Sequence, residues 1–287
     1  MTDTWTIRRI LTWMTEDFRG RGIGSPRLDG ELLIAHGLGI DRVRMYMDLD
    51  RPLTGEELTL LRALVARRRK REPVAHILGK RDFFGRTFEV NADVLVPRPE
   101  TELVVERALA GLPADSETTV LDLCTGSGCI GITLAMERPG IRVCLADVSE
   151  AALAVARRNV EQHGVGARVE VRQGDLFAAC EGMPPFGMLV SNPPYVVDAE
   201  IDGLEPEVAT FEPRMALAAG DDGLSFVRRI AGECGPYLEA GALAVLEIGD
   251  GQGAAARAIV EAAGGMGRVK VYPDLAGHDR VLEFSVG

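Results

Sequence analysis

From Thr118 to the end of the chain, apolar strand-like runs alternate with helix-like stretches, and no other feature restricts the fold as much. Strands are expected at 119–123, 142–147, 168–172, 187–191, 242–248, 268–272 and 281–286. Helices are expected between most of them, at about 129–138, 149–163, 223–239 and 252–264. Such alternation implies an α/β fold, an open and mainly parallel sheet with helices on both faces. Sheets of this kind bind ligands beyond the carboxyl ends of their strands, where strand order reverses. The chemistry is therefore expected in the loops that follow strands.

The preceding residues have a different texture. Residues 1–80 read as short helices. Ser25-Pro26 sets an N-cap before a proline at the first helical position, and Gly37 is expected to end that segment. Thr54 and Glu57 form a capping-box pattern ahead of Leu58, Leu61, Leu64 and Val65, and Glu72-Pro73 stops that helix. Residues 81–96 look extended around Gly85, a hairpin pattern, before Pro97-Arg98-Pro99 and a helical stretch from Glu100 to Ala110. Three parts follow from this: a helical region 1–80, a hairpin linker with its connecting helix 81–112, and the alternating region 113–287.

Two loops carry candidate chemistry. Val120-Leu-Asp-Leu-Cys-Thr-Gly-Ser-Gly-Cys-Ile-Gly131 is a buried strand entering a glycine-rich turn and then a helix. Gly126 and Gly128 allow close approach of a ligand to the backbone. Asp147 ends the second strand nineteen residues past Gly128, placed to accept hydrogen bonds from two ribose hydroxyls. The spacing also satisfies the dinucleotide fingerprint. This loop alone fits either a nicotinamide dinucleotide or S-adenosylmethionine.

The second loop follows the fourth strand. Asn192-Pro193-Pro194-Tyr195 puts an amide where the sheet opens, followed by a stiff backbone with no N–H at either proline. An Asn oxygen and a rigid Pro carbonyl can together hold both hydrogens of an NH2 group. Tyr195 offers a planar face to a flat substrate group. A dinucleotide oxidoreductase would give these four residues no task.

Charge narrows the partners. Residues 1–80 carry a net +4 and the remainder −15, making up the formal −11 of the chain. An acidic main region repels phosphate backbones, which argues against sequence-specific nucleic-acid binding. The run Arg67-Arg68-Arg69-Lys70-Arg71 reads as a solvated helix end suited to the dipole, with contact to nucleic acid or an acidic partner as the alternative. No apolar run approaches the length of a membrane span. Cysteines 124, 129, 144, 180 and 234 form no CxxC pair, which points to a reducing compartment and a cytoplasmic location. The four histidines are scattered, so no metal is expected. Glu100 and Glu102 suit a helix N-terminus before any catalytic role.

With these residues in view, the chain resembles the release-factor glutamine methyltransferases, the HemK/PrmC proteins. The resemblance covers essentially the whole chain. It rests on Asn192 to Tyr195, Glu72-Pro73-Val74, Gly79 with Asp82-Phe83-Phe84, and Leu95-Val-Pro-Arg-Pro-Glu-Thr-Glu102. Gly174-Asp175-Leu176-Phe177, Glu212-Pro-Arg with Ala216-Leu217, and Asp222-Gly223-Leu224 extend it. It implies a seven-stranded, mainly parallel Rossmann-like methyltransferase sheet in 113–287, with a helical substrate-docking domain in 1–80 joined by a β-hairpin. The implied activity is methyl transfer from S-adenosylmethionine to the glutamine amide of a Gly-Gly-Gln loop in peptide chain release factors.

By position, Cys124, Thr125, Gly126, Ser127 and Gly128 would line the methionine moiety and Asp147 would bind the ribose. Asp175 and Leu176 would flank the adenine, where some relatives have an aromatic at the Leu176 position. Asn192, Pro193, Pro194 and Tyr195 would hold the glutamine amide, with Asn192, Pro193 and Tyr195 the catalytic set and Asn192 also beside the cofactor. The wording Leu-Cys-Thr-Gly-Ser-Gly-Cys-Ile is also similar to that of enzymes methylating a ribosomal-protein glutamine. A DNA adenine methyltransferase would need a basic cleft, which this chain lacks. A non-catalytic cofactor-binding module would have no reason to keep Asn192 and Asp147 together.

Overall fold

In the computed structural model, which describes residues 4–287, the alternating region folds into a sheet of seven strands. These are β3 (Thr119–Leu123), β4 (Arg142–Asp147), β5 (Val169–Gln173), β6 (Phe186–Ser191), β7 (Leu238–Glu247), β8 (Met266–Pro273) and β9 (Asp279–Val286). Their order is β5-β4-β3-β6-β7-β9-β8. The first five run parallel, and β9 lies antiparallel to both β7 and β8. Strand order therefore reverses between β3 and β6, whose carboxyl ends lie side by side.

The apolar strands bury both faces. Leu121, Cys144, Ala146, Leu189, Ala244, Leu246 and Phe284 belong to one core with residues of α10 (Ser225–Glu233) and α11 (Gly253–Ala263). Their neighbours Val120, Val143, Leu145, Met188, Val190 and Val245 point the other way. They pack with α6 (Glu102–Gly111), α7 (Cys129–Glu137) and α8 (Glu150–Gln162). This is the two-residue alternation of a pleated sheet with helices on each side. A register shift between Phe186 and Met188 lets Phe186 and Leu189 share a face despite their odd spacing. The stretch expected as a helix over 223–239 ends early, at Glu233, because Pro236 cannot extend it. β7 accordingly begins at Leu238, and a 3-10 turn fills the gap.

The hairpin is β1 (Lys80–Phe83) with β2 (Arg86–Glu89), turning through Phe84 and Gly85 at positive φ. Residues 90–98 beyond it form no strand. The hairpin belongs to the sheet's unit, which comprises Lys80–Leu204 and Glu212–Gly287.

The other compact unit joins residues up to Gly79 with the distant segment Glu205–Phe211. It contains α1 (Ile7–Gly20), α2 (Pro26–Leu38), α3 (Arg42–Met47), α4 (Gly55–Arg69), α5 (Val74–Leu78) and α9 (Pro206–Phe211). Thr54 and Glu57 make both capping-box bonds. Ser25, by contrast, makes no side-chain cap bond. Gly37 does not end α2 either: the helix continues to Leu38, and Gly39 takes the left-handed C-cap. Gly37 instead lies where α4 packs, since a Cβ there would meet Leu61 Cδ2 at 2.8 Å.

The basic run at the end of α4 is not the solvated face its composition suggests. Arg67 pairs with Glu72, and Arg69 pairs with Asp17. The Arg68 side chain is only 5% exposed and bonds Asp29 at 2.7 Å and Glu207 at 2.6 Å. Arg71 holds Glu205 and Glu207. Acids far away in sequence thus neutralise most of the run. Removing one partner of a buried ion pair strands the other charge, at about 3–5 kcal/mol. Arg68→Ala is therefore expected to lower unfolding free energy by roughly 3 kcal/mol in urea melts. The half-exposed Arg44→Ala should change it by less than about 1 kcal/mol.

Candidate active site

The reversal of strand order creates a pocket over the ends of β3, β4 and β6. Ser191 Oγ donates to the Leu123 carbonyl at 2.7 Å, tying the last residues of β3 and β6 together. Beyond them, Cys124 and Leu176 adopt φ of +54° and +48°, conformations that side-chain-bearing residues seldom hold. Both line the pocket, so backbone strain gathers at the site.

One buried acid shapes the glycine loop. Asp122 Oδ2 accepts from Thr125 Oγ1 at 2.6 Å and from the Gly131 N–H at 2.9 Å. Gly131 can approach this closely because it has no Cβ; one would lie 2.3 Å from Leu145 Cδ2. Asp122 thereby joins the start of the turn to the first turn of α7. Burial pushes its carboxyl up to about 7, over the opposing bonds from Thr125 and Gly131.

Asp147 stands opposite. Its Oδ2 accepts from the Gly126 N–H and its Oδ1 from the Ser149 N–H, both at 2.9 Å. Burial raises its pKa against these backbone bonds. Among the described residues no cation pairs with it, and each oxygen keeps a lone pair for a further donor. That arrangement suits a neutral diol. Cys124, Thr125, Gly126, Ser127, Asp147, Asp175 and Leu176 all line this one pocket, as does Asn192. Gly128 does not; with φ of +81° it caps the start of α7 directly behind. Asp175 also forms a two-pronged pair with Arg229, both bonds 3.0 Å long.

The lining includes Asp93, Asp147 and Asp175 but neither lysine nor arginine. Arg229 compensates Asp175 from outside the lining, which leaves Asp93 and Asp147 as acids without an ion pair among the described residues. That setting disfavours a pyrophosphate and suits a cation such as a sulfonium. The dinucleotide reading, left open by the glycine spacing, loses its support here.

In the second loop, Asn192 and Pro194 form pocket wall, whereas Pro193 and Tyr195 lie outside the lining. Asn192 Nδ2 donates to Thr101 Oγ1 at 3.2 Å. Tyr195 directs its hydroxyl to Glu247 Oε1 at 3.2 Å, and burial raises its pKa. Its carbonyl accepts from Gln252 Nε2 at 2.9 Å. Arg98 clasps both oxygens of the buried Glu212 at 2.8 Å, joining two motifs more than a hundred residues apart. Glu100 and Glu102 do not line the pocket; Glu102 accepts from the Phe84 N–H at 2.7 Å. Sequence reasoning missed Asp122, Thr101 and Glu247. Asp122 and Thr101 sat within motifs quoted above without being given a role, and Glu247 had no local signal.

A seven-stranded sheet of this order with an acidic pocket at its switch point defines a class I S-adenosylmethionine-dependent methyltransferase. The crystal structure of a methyltransferase from Pyrococcus furiosus is similar in fold, with a TM-score of 0.52 at 19% identity over 71% of this chain and 91% of that one. A family model described as the PrmC N-terminal domain matches residues 9–79, and one described as a methyltransferase small domain matches 101–206. The release factor glutamine methyltransferase of Geobacter sulfurreducens is 44% identical across 87% of this chain and 86% of its own length. That of Rhodopirellula baltica is 38% identical, covering 97% and 95%. The chain belongs to the release factor glutamine methyltransferase family. Among the described residues, no helix is long and apolar enough to cross a membrane.

The Asp122 carboxyl generates a pH test. A carboxyl whose pKa rises on folding adds stability below its unfolded value and loses it as pH climbs through the folded value. Wild type should therefore exceed Asp122→Asn in melting temperature most near pH ~4, with the gap shrinking up to pH ~7. A gap independent of pH would mean that folding leaves the Asp122 pKa unshifted.

Proposed function

We infer that this protein methylates the side-chain amide nitrogen of the glutamine in the Gly-Gly-Gln loop of peptide chain release factors. Family membership supports the substrate class, and the setting of Asn192 carries the chemistry. Asn192 directly follows β6, and its Nδ2 donates to Thr101, so Oδ1 remains to accept. No backbone donor among the described residues takes the Pro193 carbonyl. These two acceptors match the two hydrogens of a primary amide.

S-adenosylmethionine supplies an electrophilic methyl on a sulfonium. Cys124 to Ser127 line the methionine end, with Gly128 supporting the turn. Asp147 accepts from the ribose, and Asp175 and Leu176 flank the base. The aliphatic Leu176, 4% exposed, presents a flat-packing wall where an aromatic ring would stack. The protein's task with the amide is orientation. An amide nitrogen is a poor nucleophile because its lone pair is delocalised, and fixing both hydrogens turns that lone pair toward the methyl. The same two acceptors stabilise positive charge growing on nitrogen in the transition state. No strong base is required: as the sulfonium leaves as a neutral thioether, the N-methylated nitrogen holds a strongly acidic proton, which passes to water to give the neutral N-methyl amide.

The test is incubation of purified protein with labelled S-adenosylmethionine and, separately, release factors, ribosomal proteins and DNA, with mass spectrometry locating the methyl. Label on the release-factor glutamine is the expected result; label confined to a ribosomal protein or to DNA would refute it. Asn192→Ala should lower kcat by about a hundredfold or more, the scale for losing an oriented transition-state acceptor. Its cofactor affinity should stay within roughly threefold on calorimetry, since Asn192 serves the nitrogen rather than the ribose. Asp147→Ala should show the reverse pattern, with cofactor affinity falling first.

A further inference from the structure

Behind the Asn-Pro-Pro-Tyr loop stands a carboxamide whose oxygen and nitrogen are both engaged. Gln252 caps the start of α11, and its Nε2 donates to the Tyr195 carbonyl at 2.9 Å and to the Gly223 carbonyl at 3.3 Å. Its Oε1 accepts from the Gly249 N–H at 2.8 Å. Turned over, the group would set oxygen against two carbonyls and NH2 against an N–H, so its three partners fix its orientation. Three chain segments meet on it: the loop after β6, the turn before α10 and the turn after β7.

Two glycines make the room. A Cβ on Gly223 would lie 2.4 Å from the Tyr195 oxygen and 2.5 Å from Gln252 Nε2, and Gly223 holds φ of +72°. A Cβ on Gly249 would lie 3.0 Å from Gln252 Cδ and 3.3 Å from Tyr195 Cδ2. Tyr195 is therefore held at its carbonyl by Gln252, along its ring by Gly249 and at its hydroxyl by Glu247. The two residues before it cannot hold themselves. Pro193 and Pro194 have no N–H, and among the described residues no backbone donor takes either carbonyl. Their fixed φ passes a shift of the Tyr195 backbone on to the Pro193 carbonyl, two residues away.

We propose that Gln252 is a positioning residue that, by gripping the Tyr195 carbonyl, sets the Pro193 carbonyl and Asn192 Oδ1 at the spacing one NH2 group requires. This rests on the reading of those two atoms as the acceptors for the substrate amide. Gln252 is absent from the pocket wall and acts through Tyr195.

The test uses Gln252→Glu and Gln252→Met, both close to the native side chain in length. Either removes both donor bonds, and the first also sets an oxygen against two carbonyls. Methylation of a purified release factor, calorimetric binding of S-adenosylmethionine and thermal melting are measured on the three full-length proteins. At pH ~8 each variant should lose about tenfold in kcat, with cofactor affinity within roughly twofold. Acidification separates positioning from general loosening. Around the introduced carboxyl stand Asp222 paired with Arg228, Asp250 with His278, Asp279 at the Gly253 N–H, and Glu247 at the Tyr195 hydroxyl. Arg280, at the Ile248 carbonyl, opposes these acids. The acids and the two carbonyls raise the pKa of the introduced group. Once protonated, it can donate to the Tyr195 carbonyl while its other oxygen keeps the Gly249 N–H. The kcat of Gln252→Glu relative to wild type should therefore recover by roughly threefold or more between pH ~8 and pH ~6, whereas the ratio for Gln252→Met should stay level. Should Gln252→Glu fail to fold, Gln252→Met still reads the loss in kcat against cofactor affinity. A Gln252→Met kcat within about twofold of wild type, a parallel loss of cofactor affinity, or a Gln252→Glu ratio unmoved by pH would each overturn the clamp. A wild-type protein that methylates no release factor would overturn the substrate reading and the clamp with it.

Discussion

Everything at the site depends on two parallel strands ending side by side. β3 and β6 are neighbours in the sheet although some sixty residues separate them in sequence. Chain leaving β3 turns toward β4, and chain leaving β6 turns the opposite way, so the two loops part and leave a crevice. The Ser191 to Leu123 bond closes its floor. The loop leaving β3 stays compact because Asp122 holds both Thr125 and Gly131, which brings the Gly126 N–H to Asp147. One loop thus carries the proposed cofactor surface and the other the proposed amide-binding surface, side by side at the ends of adjacent strands.

Charge follows from the same arrangement. Asp122 and Glu247 are buried carboxyls whose pKa values burial lifts to about 7, and Asp147 is raised in the same direction. None is neutralised by a short ion pair. They accept instead from hydroxyls or backbone N–H groups, with Asp122 Oδ1 and Glu247 Oε2 left without a partner, and of the acids lining the pocket only Asp175 is held by an arginine, Arg229. Elsewhere the chain pairs its charges closely, as at Arg98 with Glu212 and Arg68 with Asp29 and Glu207. The contrast separates charges used to hold the fold from charges kept for binding.

Much of this was legible in the sequence, for a physical reason. Strands buried on both faces must be continuous apolar runs, so β3, β4 and β6 stood out with boundaries within one residue. The glycine loop, Asp147 and Asn192 were readable because their spacing is local and their chemistry specific. The contacts of Thr101 and Glu247 were not, since a polar residue that meets its partner across the fold leaves no periodic trace, even where, as for Thr101, it sits inside a motif. The basic run misled for the same reason. Arg67 to Arg71 are adjacent in sequence, but their acids lie at 17, 29, 72, 205 and 207. Segment Glu205–Phe211 joins the helical unit through such pairs, and no composition shift announces it.

The Asn-Pro-Pro-Tyr loop shows how donors can be removed to make a site selective. Pro193 and Pro194 have no N–H to offer. Asn192 Nδ2 gives one hydrogen to Thr101 Oγ1, and the Tyr195 hydroxyl gives its hydrogen to Glu247. The Tyr195 carbonyl is occupied by Gln252, whose own oxygen takes the Gly249 N–H. Two acceptors remain for a ligand, Asn192 Oδ1 and the Pro193 carbonyl. A ligand with two hydrogens on one nitrogen satisfies both, whereas an ester or carboxylate oxygen would leave both unpaired and desolvated. Buried polar groups left unpaired cost on the order of 1–3 kcal/mol each, so the proposed selection for an NH2 group draws on the N–H groups the two prolines lack as much as on the acceptors present.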